Sequence, residues 1–178
     1  MSVPSSSSQE SGMSLIELLV VIVVSGILLS VVAAVFVNGW TAQQQASARN
    51  SATAELNAVT AGVTESVRDA TVTRVSAGGM RLDAKVLGAD GATWQCRAWQ
   101  LDAGQLRYSS GASARPVSSA TWTPIASGVR GTFTSGAAFS SSGTRISLGL
   151  RMTRGDVSVT VTSGAAAQVV QGGGPACW

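Results

Sequence analysis

The chain contains no histidine. Without an imidazole there is no His general base, no His metal ligand and no Ser-His-Asp triad. It has only two cysteines, Cys96 and Cys177, and neither lies in a CxxC pair, so zinc-ribbon and thioredoxin-like readings fail. Charged residues amount to 12% of the chain, about half the usual quarter, and aromatic residues to 5%. The carboxylates Asp83, Asp90, Asp102 and Asp156 are scattered among turn signals, with none of the spacing of an EF-hand loop. Serines are abundant, yet no Ser-x-x-Lys pattern or neighbouring base marks one as a nucleophile. These absences leave no catalytic residue, no metal ligand set and no cofactor to assign, and the expected role is not enzymatic. The net charge of +3 is a mild excess that permits attraction to anionic polymers without demanding it.

What is abundant is apolar sequence, concentrated before Trp40. From Leu18 to Val37 the chain reads LLVVIVVSGILLSVVAAVFV, 20 residues without a charge. A helix of that length rises about 30 Å, the thickness of the hydrocarbon core. Its only polar interruptions are Ser25 and Ser30, which can bond back to helix carbonyls, and no proline breaks it. Residues 1–11, MSVPSSSSQES, contain no Lys or Arg, and no A-x-A site follows the apolar run before Trp40. A cleaved secretory signal would show both, so the apolar segment is expected to stay in the mature protein.

Glu17 sits one position before this run, where a carboxylate costs free energy unless paired or solvated. Taken alone it marks a membrane edge. Its context is Gly12-Met13-Ser14-Leu15-Ile16-Glu17, followed directly by the apolar helix. This resembles the prepilin processing motif, in which a Gly precedes the cut, a hydrophobic residue follows it, and a Glu comes four residues later. The resemblance implies cleavage between Gly12 and Met13 by a prepilin peptidase and N-methylation of Met13. It also implies assembly with other pilin or pseudopilin subunits through the N-terminal helix, aided by Glu17. Among apolar helices an unpaired charge is costly, so pairing the new amine of Met13 with the Glu17 carboxylate of a neighbour would fix register. The first cation in the chain is Arg49, so orientation is taken from the motif rather than from charge bias.

The expected fold class is α+β and pilin-like: one long helix from about Met13 to about Ala70, packed on a mostly antiparallel sheet. The expected organisation is a leader at 1–12, a transmembrane and assembly helix at 13–40, its exported continuation at 41–72, a β-rich domain at 73–171 and a flexible tail at 172–178. Leu56, Val59, Val63, Val67 and Ala70 form a helical apolar stripe, while Asn38-Gly39 and Gly62 are candidate bends. Alternation marks strands around 80–86, 93–101, 105–109, 146–150 and 157–161, forming a meander, and residues 109–119 and 134–144 read as loops. The arginines at 74, 81, 107, 115, 130, 145, 151 and 154 read as solvated strand and turn positions. Arg154-Gly155-Asp156 reads as a hairpin turn rather than an adhesion tripeptide. Trp94 and Trp99 fall on opposite strand faces and cannot form one stacking platform for nucleic acid.

In an exported domain an even pair of cysteines reads as one disulfide, Cys96–Cys177, stapling the tail to the sheet. The alternative is a buried free Cys96 and a disordered Cys177. The expected function is a structural subunit, a minor one, of a type IV pilus or a type II secretion-like pseudopilus. The contrasting readings are a membrane-anchored β-domain that binds nucleic acid for DNA uptake or mediates adhesion, and a single-pass membrane protein with no filament. In the favoured reading the anchor lies in the membrane and the C-terminal domain is exported, to the cell surface or periplasm.

Overall fold

The structure is a computed structural model and describes residues 14–88, 90–168 and 173–178. Helix α1 runs from Leu15 to Arg68, 54 residues, and neither Asn38-Gly39 nor Gly62 interrupts it. Arg68 lies in the last turn, where a cation complements the helix dipole. The Gln168 N–H donates to the Arg68 carbonyl at 3.1 Å, supplying one of the partners a helix end otherwise lacks. Two compact units divide the chain, one ending at Gln44 and the other running from Gln45 to Trp178.

In the second unit α1 buries Ala52, Leu56, Val59, Val63 and Val67, a stripe at helical spacing. This stripe joins a single apolar core contributed by two antiparallel sheets. The first sheet has the order β1 (Ala70–Ser76), β2 (Arg81–Leu87), β3 (Trp94–Asp102), β4 (Gln105–Gly111) and β5 (Thr123–Ser127). Each strand pairs with its sequence neighbour; the links from β1 through β4 are short, while a longer connection, residues 112–122, joins β4 to β5. Leu82, Ala84 and Val86 of β2 and Trp99 and Leu101 of β3 supply its side of the core.

The second sheet is built on β8 (Arg145–Arg154), with β9 (Val157–Ala166) along one edge. The other edge is shared by β6 (Val129–Gly131) and β7 (Phe139–Ser142), which pair with successive parts of β8. Between them residues 132–138 leave the ladder and return, with the Gly149 N–H donating to the Ala138 carbonyl at 2.9 Å and its carbonyl accepting from Thr132 N at 3.1 Å. This excursion crosses Gly149 so closely that a Cβ there would collide with Thr132 Oγ1.

The helix and the antiparallel pairing agree with expectation, except that Ala70, expected to complete the helical stripe, opens β1 after the helix ends at Arg68, and the single meander becomes two sheets. Residues 134–144, expected as a loop, contain β7, and β4 extends to Gly111. The strands β1, β5 and β6 were not visible as separate elements in the alternation.

Candidate functional site

The N-terminal segment carries the sequence motif. Gly12 and Met13 lie outside the described residues. Helix α1 opens just after them, its first turn closed by Leu18 N donating to the Ser14 carbonyl at 3.1 Å, and Glu17 is the acid of that turn. A carboxylate there complements the positive end of the helix dipole. From Leu15 to Trp40 the described side chains are exposed all round, including Leu15 at 82%, Leu29 at 69% and Phe36 at 70%. A helix that is apolar on every side is soluble only in lipid or among other helices. Its best window has a mean hydropathy of 3.1, and it is the one helix among the described residues long and apolar enough to cross a membrane.

Two hydroxyls of this segment bond back to helix carbonyls, which suits an apolar surrounding. Ser30 Oγ donates to the Ile27 carbonyl at 2.7 Å, and Thr41 Oγ1 donates to the Val37 carbonyl at 3.0 Å. Phe36 and Trp40 stack with ring centroids 6.4 Å apart at the end of the apolar run, the position where aromatic residues favour the membrane–water boundary.

In the second unit, Cys96 and Cys177 are joined in a disulfide with a Cα–Cα distance of 5.3 Å. Cys177 is 3% exposed, so the end of the tail is held rather than loose. Lys85 assists: its Nζ donates to the Gly173 carbonyl at 2.6 Å and lies 5.3 Å from the Trp94 ring centroid. Gly174, at φ +79°, passes so near that ring that a Cβ would meet it at 2.5 Å. The expected flexible connection is therefore anchored over residues 173–178, while residues 169–172 lie outside the described residues.

Of the arginines expected in solvent, Arg81 is buried and Arg107, Arg115 and Arg154 are half-buried. Arg81 is 7% exposed and Asp83 2%. Two nitrogens of Arg81 reach the Asp83 carboxylate at 2.7–3.0 Å. Two further bonds reach the Pro116 and Arg115 carbonyls, and Trp122 stacks under the guanidinium with its ring centroid 5.0 Å away. Arg107 donates to the Ser119 and Ala120 carbonyls. The segment from Arg115 to Trp122 is thus clasped over the sheet face opposite α1. Asp83 lies within β2 rather than beside a turn. Arg154 pairs with Glu55 of α1. Arg74, Arg130, Arg145 and Arg151 are exposed, as expected. Residues 155 and 156 form the turn between β8 and β9.

Asp90 also holds a turn. It accepts from the backbone N–H groups of Ala92 at 3.0 Å and Thr93 at 2.9 Å, and from Thr93 Oγ1. The bond from the Thr93 side chain, followed by those from the backbone, holds its carboxyl at a pKa of about 2, below the ordinary carboxylate value.

Between α1 and the first sheet lies a cleft of about 380 Å3, walled by Val59, Trp99, Tyr108 and Ile125 and bordered by Glu55, Glu65 and Arg97. Trp99 and Tyr108 meet at 5.3 Å, and Arg97 is tied to Ser66 Oγ at 2.9 Å. Among the described residues no group of three His, Cys, Asp or Glu side chains is placed to hold a metal ion.

Residues 7–33 match the prokaryotic N-terminal methylation motif. Neither the curated proteins nor the solved structures yield a match to the chain. The matched stretch covers the Gly12–Glu17 sequence and most of the apolar run. The chain therefore carries, at the head of its membrane-competent helix, the methylation motif typical of type IV pilin and pseudopilin precursors.

Proposed function

We propose that this protein is a structural subunit, a minor one, of a type IV pilus or a type II secretion-like pseudopilus. The observation that carries the reading is the methylation motif set directly on a helix that is apolar on every face and continues into the core of a β-domain. In this reading a prepilin peptidase cuts between Gly12 and Met13, and the new amine on Met13 is methylated. The apolar helix then moves from the bilayer into a bundle of like helices. Glu17 takes the amine of a neighbouring subunit as its partner, because a charge left single among apolar helices is costly. The disulfide fits a domain held in an oxidising compartment, outside the membrane or in the periplasm.

The test is twofold. N-terminal sequencing of protein from its native membrane is expected to find a mature start at Met13. A start beyond residue 40, or an intact leader beside an active peptidase, overturns the reading. Glu17→Val is expected to insert and be processed normally, since it makes the segment more apolar, but to be depleted from sheared filaments. Incorporation equal to wild type would leave Glu17 as a membrane-edge residue only.

A further inference from the structure

The outward face of the second sheet has an uneven charge. Between Val129 and Ala166 there are four arginines, and the only carboxylate is Asp156, in the β8–β9 turn. Arg154 is taken by Glu55. Arg130, Arg145 and Arg151 are exposed and have no carboxylate partner among the described residues. Arg130 and Arg151 are direct cross-strand partners, so both project from the same face at the same level. Like charges placed opposite one another weaken a sheet, and nothing in the strands offsets them.

The arginines lie across their neighbours. Arg151 Nε donates to Thr160 Oγ1 at 3.2 Å, and the Arg145 guanidinium covers Gly164, where a Cβ would meet its Nε and Nη2 at 3.2 Å. Thr160 and Gly164 are four residues apart on β9, so the two guanidinium groups are spaced by ~13 Å along a rigid strand. The remaining outward positions of β8 and β9 are Ser, Thr, Gly or Ala. A cleft of about 580 Å3 opens beside Arg130 and Arg151, floored by the Ser127–Gly128 and Ala103–Gly104 turns.

We propose that this face binds an acidic polysaccharide, a polymer of sugars bearing carboxylates. The guanidinium fork matches a carboxylate with two parallel hydrogen bonds. The rows of hydroxyls supply short donors and acceptors for sugar hydroxyls, and no acidic group on the face repels the polymer. One aromatic ring, the half-buried Phe133, lies over Gly149 on this face; single-stranded nucleic acid is bound on successive rings, one for each stacked base, and the outward positions of β8 and β9 add none to it. This ligand goes beyond the structural role proposed above. The face belongs to the folded domain, so it can be tested on unassembled protein whether or not filaments form.

The full chain in detergent micelles is passed over immobilised polygalacturonate, with neutral dextran, inorganic polyphosphate and duplex DNA as parallel surfaces. Retention on polygalacturonate and not on dextran is expected. The double variant Arg130→Gln/Arg151→Gln is expected to weaken it about tenfold or more, the loss of one to two charge-assisted contacts. Arg74→Gln, an exposed change in the first sheet, is expected to leave it unchanged. Equal losses in the Arg74 variant, retention unaffected by the double variant, or binding to polyphosphate or DNA as tight as to polygalacturonate would overturn the proposal in favour of unspecific charge attraction.

Discussion

Asp83 and Arg81 show what alternation along a strand can and cannot tell. The pattern correctly puts them, with Lys85, on the side of β2 opposite Leu82, Ala84 and Val86. Whether that side meets water depends on where a segment some 35 residues later comes to rest, and nothing local encodes that. Once Arg115–Trp122 covers the face, the ion pair is sealed in with its remaining donors on backbone carbonyls. Asp83→Ala leaves a buried guanidinium without its carboxylate and is expected to cost about 3–5 kcal/mol of stability, read from urea denaturation. Replacing both residues by well-packed apolar ones should cost much less, because the unpaired charge is then absent. Asp90 gives a different readout. Its pKa is lowered on folding, so its contribution is complete above the unfolded value near 4 and disappears as pH falls through about 2. The gap in melting temperature between wild type and Asp90→Ala should therefore narrow on acidification from pH 5 to pH 2.

At the scale of elements, α1 was the most legible feature, because an unbroken apolar run and then a stripe at 56, 59, 63 and 67 each carry a strong periodic signal. Leu56→Ala is expected to destabilise the domain by about 2–5 kcal/mol, since Leu56 is fully buried at the junction of helix and sheets. Leu29→Ala, in the exposed apolar run, should leave the domain's unfolding midpoint unchanged, a contrast that thermal denaturation in detergent can read. Strands β2, β3, β8 and β9 were legible because Val, Leu, Ile and Trp alternate with polar residues along them. β7 was not: Phe139 is followed by three serines, and its place is set by the ladder of β8 and the close crossing at Gly149. Likewise β5 and β6 are short and separated by Gly128, so neither is long enough to display a period. The motif of the N-terminus was legible for another reason, since a processing enzyme must itself read local sequence.

At the scale of the molecule, the pairing of Cys96 with Cys177 was foreseeable from count and compartment, but the seating of the tail was not. It depends on Lys85, Trp94 and the positive φ of Gly174, each an unremarkable residue in the sequence. By the chain-entropy account a bridge between residues 81 apart contributes ~4.5 kcal/mol at most. Cys177→Ser is therefore expected to lower the melting temperature and to expose Trp94, seen as a red-shifted emission, while leaving processing at Gly12 untouched. The bridge also has a mechanical consequence. It joins the start of β3 to the last residues of the chain, so that the rest of β3 and β4 to β9 lie inside a closed covalent ring. Tension applied between the N-terminal helix and Trp178 passes across the sulfurs and bypasses everything in that ring. With the bridge intact, the roughly 80 residues inside cannot lengthen the chain. Once it is reduced they add roughly 280 Å of contour at ~3.5 Å per residue. A single-molecule pulling trace with and without reductant would show that difference as the gain or loss of one long extension step.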